Sequence, residues 1–459
     1  MGAAMDELVE KIVVVAKEAA NVGLEARHAA KRMLLDSLGC AIGAYHDEVP
    51  EIVRKLASQY SQPAGAHVLG LRDPVTSEMA AFANGVMFRY LDLNDAYGST
   101  VGIGHPSDYI PPILAAAEIV GASGSKVLDA IILSYEIFCR LTDVTALGVD
   151  NWDHVLNGAV ASAVGAAHIF DLNPDQLRNA IALSLVPNVA LQVTRLNDVS
   201  NWKGCASANA GRNGLFAVHL ARAGISGPSA PYSGRGGLFA AMVSDPIMSA
   251  WDRNYPAIFD SNIKRFPAGY FSQSAIQAAL DLYRQIPNVD EITSVEVGTF
   301  AFGSKVMAGD LEKWHPKSRE TADHSLPYVV AHALAHGSVS KVSFTDEAIR
   351  DAKTLRLLDM LSVVQNEECE VAWPKSCMNK VSVQLGDGAV ISAQVRNYLG
   401  HSSNPFSDDQ LEDKFKELAF PILGLEITER LIATIWALDS AANIDQLFAG
   451  FQVPNGVGR

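Results

Sequence analysis

Over residues 5–260 apolar side chains recur every three to four positions, most clearly at 110–119, 127–147, 155–170 and 177–185, the period of helices with one buried face. Strand-like alternation is nearly absent there. The run Gly158-Ala159-Val160-Ala161-Ser162-Ala163-Val164-Gly165-Ala166-Ala167 is so rich in small side chains that it predicts a buried central helix packed at close backbone distance. Asn173-Pro174-Asp175-Gln176 supplies a cap, a proline at the first helical position and a glutamine at the third, so a helix starts there. Near residue 290 the period falls to two, in Ser294-Val295-Glu296-Val297-Gly298-Thr299-Phe300 and again in Lys380-Val381-Ser382-Val383-Gln384-Leu385. The second run meets Gly386-Asp387-Gly388-Ala389 and then Val390-Ile391-Ser392-Ala393-Gln394-Val395, which reads as a hairpin. Between the strands the pattern is helical, with Thr345 capping a stretch through Leu361, and helix returns after the capping box Ser407-Asp408-Asp409-Gln410.

The fold class that follows is mainly α: a large all-helical domain interrupted by a smaller α+β domain. The helical domain takes residues 1–265 and returns over 404–459, and the inserted domain takes 266–403. The crossovers are the turn around Lys264 and the connection Asn404-Pro405-Phe406. Clefts between domains are common ligand sites, so the loop around His105 and the segment at Lys264 are expected to face each other.

Length and composition agree with two domains and a sizeable core: 459 residues, 49% hydrophobic and 19% charged. The balance of 36 basic against 51 acidic residues gives a formal charge of −15, which disfavours nucleic acid as a partner. An anionic substrate would need a local cluster of cations set against that global field. Cys40, Cys139, Cys205, Cys369 and Cys377 are scattered and include no C-x-x-C pair, so neither a disulfide framework nor an iron–sulfur cluster is expected. With no basic-then-apolar leader and no apolar run long enough to span a membrane, a cytoplasmic protein with no membrane partner is expected.

The chemistry concentrates in one loop. Asp92-Leu93-Asn94-Asp95 and Gly102-Ile103-Gly104-His105-Pro106-Ser107-Asp108 place carboxylates and an imidazole on glycine-rich backbone between helical stretches, which points to an enzyme. A single histidine is more often a packed or surface imidazole than a working one. His105, between a glycine and a proline, is equally open to a catalytic and a structural role. His154, beside Asp153 at a helix start, reads first as a cap-region residue whose pKa the helix's positive end depresses. His315, His324, His332 and His336 lack an H-E-x-x-H pattern, a spaced third ligand and a cysteine partner, so no metal is expected. Ser233-Gly234-Arg235-Gly236-Gly237 has no strand before it and no G-K-[ST] after it, and reads as a turn. No G-x-S-x-G elbow is present, so acyl chemistry has no support. Lys203 and the pair Lys264-Arg265 stand beside aromatic residues and glycine or proline, and three cations in apolar surroundings would suit a di- or tricarboxylate.

Taken together, the motifs resemble the MmgE/PrpD family, which includes 2-methylcitrate dehydratase, cis-aconitate decarboxylase and an iminodisuccinate epimerase. The resemblance covers essentially the whole chain and is carried by Leu35-Asp36-Ser37-Leu38-Gly39-Cys40, the Asp92 and His105 segments, Asp153-His154, Lys264-Arg265-Phe266-Pro267-Ala268, Glu320-Thr321-Ala322-Asp323-His324-Ser325-Leu326-Pro327-Tyr328, Asn404-Pro405 and Lys414-Phe415. It implies a helical body with an inserted α+β lid, a homodimer and a cofactor-free site between the domains. The family's active-site positions fall on Asp92, His105, His154, Lys203, Lys264 and Tyr328, which raises His154 above its cap-region reading.

The chemistry so implied is proton transfer beside a carboxylate, coupled to loss of hydroxyl, loss of carbon dioxide or inversion. His105 and His154 are the expected base and acid in unassigned order, with Asp92 orienting one imidazole. Lys203, Lys264 and Arg265 are expected to hold carboxylates, Tyr328 to donate to the departing or accepting oxygen, and Gln273 and His324 to line the substrate. Ala96, where decarboxylase-like relatives carry threonine, and Ser272-Gln273, where they carry histidine, favour dehydration of 2-methylcitrate or a similar hydroxy acid. A decarboxylase or epimerase on the same fold is the first alternative, and a non-catalytic binding protein is the second.

Overall fold

The computed structural model describes residues 6–18, 23–99, 102–145, 147, 152–243, 245–252, 256–449 and 451. Asn151 of the motif before His154, and position 146 of the helix expected over 127–147, lie outside these.

The helical body follows the period of its sequence. In chain order its helices are α1 (Glu7–Glu18), α2 (Leu24–Gly43), α3 (Glu48–Ala57), α4 (Ser77–Tyr90), α5 (Ile110–Val120), α6 (Gly124–Thr145), α7 (Val155–Ile169), α8 (Pro174–Leu185) and α9 (Ala206–Arg222). The small-residue run became α7, whose residues are all buried except His168. Its small side chains matter because α9 crosses it so closely that a Cβ on Gly214 would stand 2.3 Å from the Ala159 carbonyl oxygen. Asn173 forms the expected capping box on α8 with Gln176.

The second region contributes α10 (Gln273–Tyr283), α11 (Leu326–His336) and α12 (Ala352–Asp359). The chain returns to the body as α13 (Asp408–Leu423), opened by the Ser407 capping box, and α14 (Leu425–Trp436). One apolar core runs from Leu8 to Ile263 and resumes over Phe406 to Phe451; a second runs from Phe266 to Tyr398 and takes in Ala96.

Three short strands occur in the body, where none was expected: β1 (Ser61–Ala66), and β2 (Tyr97–Gly98) paired antiparallel with β3 (Ile103–Gly104). The second region holds a four-stranded sheet of β4 (Ile292–Thr299), β5 (Leu361–Gln365), β6 (Asn379–Leu385) and β7 (Val390–Val395), in the order β5-β4-β6-β7. β6 and β7 form the expected hairpin. The helix expected from Thr345 through Leu361 is corrected: Thr345 caps one turn, Asp351 caps α12, and Leu361 begins β5, parallel to β4. Two capping acceptors six residues apart start two separate helices. The run Leu361-Ser362-Val363-Val364-Gln365 is short and β-branched, and it gains a ladder by pairing with β4.

Candidate active site

Helix α4 ends at Tyr90, and the chain turns sharply at Asp92, which takes a positive φ of 50°. That backbone is uncommon for a residue with a side chain, and it is tolerated best by asparagine and aspartate. It lets both the carbonyl and the carboxylate of Asp92 face one cation. The Lys264 ammonium donates to Asp92 O at 3.0 Å and to Oδ1 at 2.5 Å, so the His105 loop and the Lys264 crossover do meet.

Asp92 is the hub of a buried charge cluster. Arg89, one turn back on α4, donates through Nη1 to the same Oδ1 at 2.5 Å. Lys203 Nζ lies 3.5 Å and His324 Nδ1 3.1 Å from Oδ2. Burial works to raise the Asp92 pKa, but the charges of Arg89 and Lys264 and their neighbours overcome it and hold the group well below the carboxylate range. Lys203 Nζ also donates to Asp323 Oδ1 at 2.6 Å and stands 2.8 Å from His324 Nδ1. The same His324 Nδ1 is 2.7 Å from Asp323 Oδ1, so the ring nitrogen sits between an ammonium and a carboxylate. Burial and the Lys203 charge draw the His324 pKa to about 4. Lys264, wholly buried, is drawn down to about 8 by desolvation, partly offset by Asp92.

The two histidines on the other side are fixed in opposite senses. His105 Nδ1 is 2.7 Å from the Asp95 carbonyl oxygen, which can only accept, and its Nε2 is 3.1 Å from Arg89 Nη2, which can only donate. His105 is therefore a neutral imidazole with the proton on Nδ1 and both nitrogens engaged. His154 has Nδ1 at 2.9 Å from Asp153 Oδ1, while its Nε2 is buried without a partner. Behind it Arg195 holds Asp153, with Nε 3.0 Å from Oδ2. Burial is the largest cause of the lowered His154 pKa, with Asp153 opposing it; the helix start first held responsible is not the main cause. Gly104 brings the histidines together: a Cβ there would stand 2.8 Å from His154 Cδ2 and 2.3 Å from the Phe138 ring, and the imidazole centroids are 5.7 Å apart.

The structure gathers Asp92, His105, Lys203, Lys264 and His324, with His154 against His105, and leaves three expected residues outside. Arg265 is exposed, its guanidinium 5.6 Å from the Phe266 ring centroid, so it is not among the clustered cations. Gln273 spends its amide on the crossover backbone: Oε1 accepts from the Arg265 and Phe266 N–H groups at 3.0 Å, and Nε2 donates to Phe266 O at 2.9 Å and Ala268 O at 3.0 Å. It shapes the turn and has no donor left for a substrate. Tyr328 is buried in the second core and donates its hydroxyl to Ser343 O at 2.5 Å, with no contact to the clustered charges recorded among the described residues. Tyr328 and Gln273 were expected from the family resemblance and Arg265 from its place beside Lys264, and none of these signals names the partner a side chain takes in the fold.

Arg89, Asp323 and Arg195 were not anticipated. Arg89 had a local signal, three residues before Asp92 on a predicted helix, and Asp323 sat inside a quoted motif. Asp92, Asp323 and His324 bring potential ligand atoms within 4.8 Å of one another. The Lys203 ammonium already stands among them, which supplies the positive charge such a group would otherwise recruit. The other paired histidines are engaged elsewhere: His336 with Asp351 at 2.8 Å, and His332 Nδ1 3.4 Å from Thr354 Oγ1.

Residues 10–250 match the MmgE/PrpD N-terminal domain and residues 266–440 the MmgE/PrpD C-terminal domain. A 2-methylcitrate dehydratase of Salmonella typhimurium is 26% identical over 409 residues, covering 83% of this chain and 84% of the relative. A 2-methylcitrate dehydratase of Cupriavidus necator is 26% identical over 398 residues, 81% of each. A cis-aconitate decarboxylase-like protein, oryM, of Aspergillus oryzae is 23% identical over 450 residues, 92% of each.

Proposed function

The chain belongs to the MmgE/PrpD family and is a dehydratase-type enzyme, and on that premise we propose that it removes water from 2-methylcitrate or a similar small hydroxy tricarboxylate. The observation that carries the reading is the bare, buried Nε2 of His154 with Asp153 behind Nδ1. In this reading His154 takes the proton beside a carboxylate. Asp153 holds the ring in the required tautomer and stabilises the imidazolium that forms. Such a C–H is a weak acid, so charge that develops on the carboxylate needs preorganised partners. Lys203 and Lys264 supply them, and Lys264, with its pKa near 8, gives a proton to the departing hydroxyl. His105, with both nitrogens engaged, orders Arg89 and the Asp95 turn instead of moving a proton.

A homodimer and a lid that closes over the substrate belong to the same proposal. Exposed Val189, Leu191, Val193 and Trp202 on the α8–α9 connection support the first. The two separate apolar cores, with expected boundaries at 265/266 and 403/404, support the second. No helix among the described residues is long and apolar enough to cross a membrane. A decarboxylase remains the second reading, because the oryM relative matches more of the chain than either dehydratase.

The test is incubation of metal-stripped protein with 2-methylcitrate, citrate, cis-aconitate and iminodisuccinate-type acids, with products followed by NMR in deuterated water. An unsaturated acid without carbon dioxide from 2-methylcitrate is expected. Release of carbon dioxide from cis-aconitate, or deuterium uptake without elimination, would replace the dehydratase reading.

A further inference from the structure

Arg195 lies in the connection between α8 and α9, and neither its helical context nor its sequence motif marks it for binding. We propose that Arg195 is a substrate-binding cation of this site, whose Nη1 and Nη2 take up one carboxylate of a tricarboxylate while its Nε holds Asp153; the proposal rests on the tricarboxylate reading above. Its Nε stands 3.0 Å from Asp153 Oδ2 and donates to Oδ1 at 3.3 Å. Both Nη1 and Nη2 are buried, and neither has an acceptor. The side chain is only 12% exposed. A guanidinium carries five donors and no acceptor, and charged donors withdrawn from water without a partner are destabilising. Their placement calls for an anion.

Asp153 separates these two open donors from the open acceptor of the site, His154 Nε2. Orphaned donors and an orphaned acceptor therefore stand on the two residues that hold Asp153. The other cations of the cluster already donate to partners, Lys264 and Arg89 to Asp92, Arg89 also to His105, and Lys203 to Asp323, with Arg89 Nε left 3.7 Å from Asp108 Oδ2. Arg265, expected from the sequence as the third cation, is turned outward. The ligand class follows from the fork, since two parallel N–H donors match the two oxygens of a carboxylate, which an ammonium cannot do. Because Nε and the Nη pair belong to one rigid plane, a carboxylate seated on Arg195 also steadies Asp153, and through it His154.

The experiment is calorimetric titration of the metal-stripped full-length protein and its Arg195→Gln variant with propane-1,2,3-tricarboxylate, which has no hydroxyl to lose, and with glutarate, which lacks the third carboxylate. Arg195→Gln is expected to weaken the tricarboxylate by roughly 10- to 100-fold and glutarate by much less. Equal affinity of both proteins for the tricarboxylate, or an equal loss for both acids, overturns the proposal, as does a wild-type protein that binds no tricarboxylate. If thermal unfolding shows that the glutamine variant does not fold, Arg195→Lys decides: a loss of several-fold for the tricarboxylate alone is expected, and unchanged affinity is the overturning result. A wild-type protein that binds propane-1,2,3-tricarboxylate but leaves 2-methylcitrate unchanged would sink the substrate reading and leave the Arg195 comparison standing.

Discussion

Around Asp92, three cations and a neutral imidazole converge on one carboxylate and its neighbour Asp323; around Asp153, one guanidinium and one imidazole meet a carboxylate and each keeps nitrogens free. The same residue types thus serve two ends. At the Asp92 corner each cation faces a carboxylate, although Arg89 Nε and Asp92 Oδ2 lack hydrogen-bond partners, and buried charge of that kind offsets the desolvation of each ion while it holds Lys203 and Lys264 in place. The Asp153 corner is under-satisfied, which is costly in a resting protein and useful when a substrate supplies the missing partners.

The largest effect that tests this contrast is on turnover. His154→Ala is expected to lower kcat by about a hundredfold to ten-thousandfold, with the affinity for propane-1,2,3-tricarboxylate largely retained; a His154 variant with full kcat would dissolve the distinction between the corners. Next comes Asp92→Asn, which strips the counter-charge from Arg89, Lys203 and Lys264. It is expected to destabilise the fold by about 3–5 kcal/mol, read as a loss of denaturant midpoint, whereas a merely catalytic Asp92 would leave the midpoint in place.

The pH profile sharpens the comparison further. Lys264 must be protonated to act as acid, so kcat falls as pH rises through about 8. His154 must be neutral to act as base, so activity is lost on the acid side only as pH falls through a value below histidine's usual range. Replacing Lys264 with methionine should remove the alkaline limb along with most activity, and an alkaline limb unchanged in the residual rate would assign it elsewhere. The smallest expected effect belongs to a residue the cluster excludes. Tyr328→Phe should cost about 0.5–1.5 kcal/mol of stability and leave kcat within about twofold, because its hydroxyl serves Ser343; a large fall in kcat would return Tyr328 to the site.

Much of this was legible in the sequence. Helix periods, capping boxes at Asn173 and Ser407, the hairpin at 386–389 and the meeting of the Asp92 and Lys264 segments all rest on local pattern or on motif order. Two kinds of feature were not. Leu361 begins a strand because β4 is there to receive it, a partner 66 positions away in register with Val295. Gln273, Tyr328 and Arg265 carry the right chemistry for a site, yet their partners are a turn, a carbonyl in a second core and solvent, none of which residue type specifies. Arg195 is the converse case: nothing around it in sequence marks it, and its interest lies wholly in the acceptors it lacks.

One ammonium ties the ends of this arrangement together. Lys414 on α13 donates to Asp36 Oδ1 at 2.5 Å, to Leu93 O at 3.1 Å and to Lys264 O at 2.7 Å, joining an early helix, the Asp92 loop and the crossover. During translation, Asp36, Leu93 and Lys264 all leave the ribosome before their common tether does. The nascent chain thus holds its loop and crossover without that stitch for some 150 codons after Lys264 is made, and a ribosome stalled in that interval would carry a polypeptide whose Asp92 loop and Lys264 crossover are not yet fastened to the early helix.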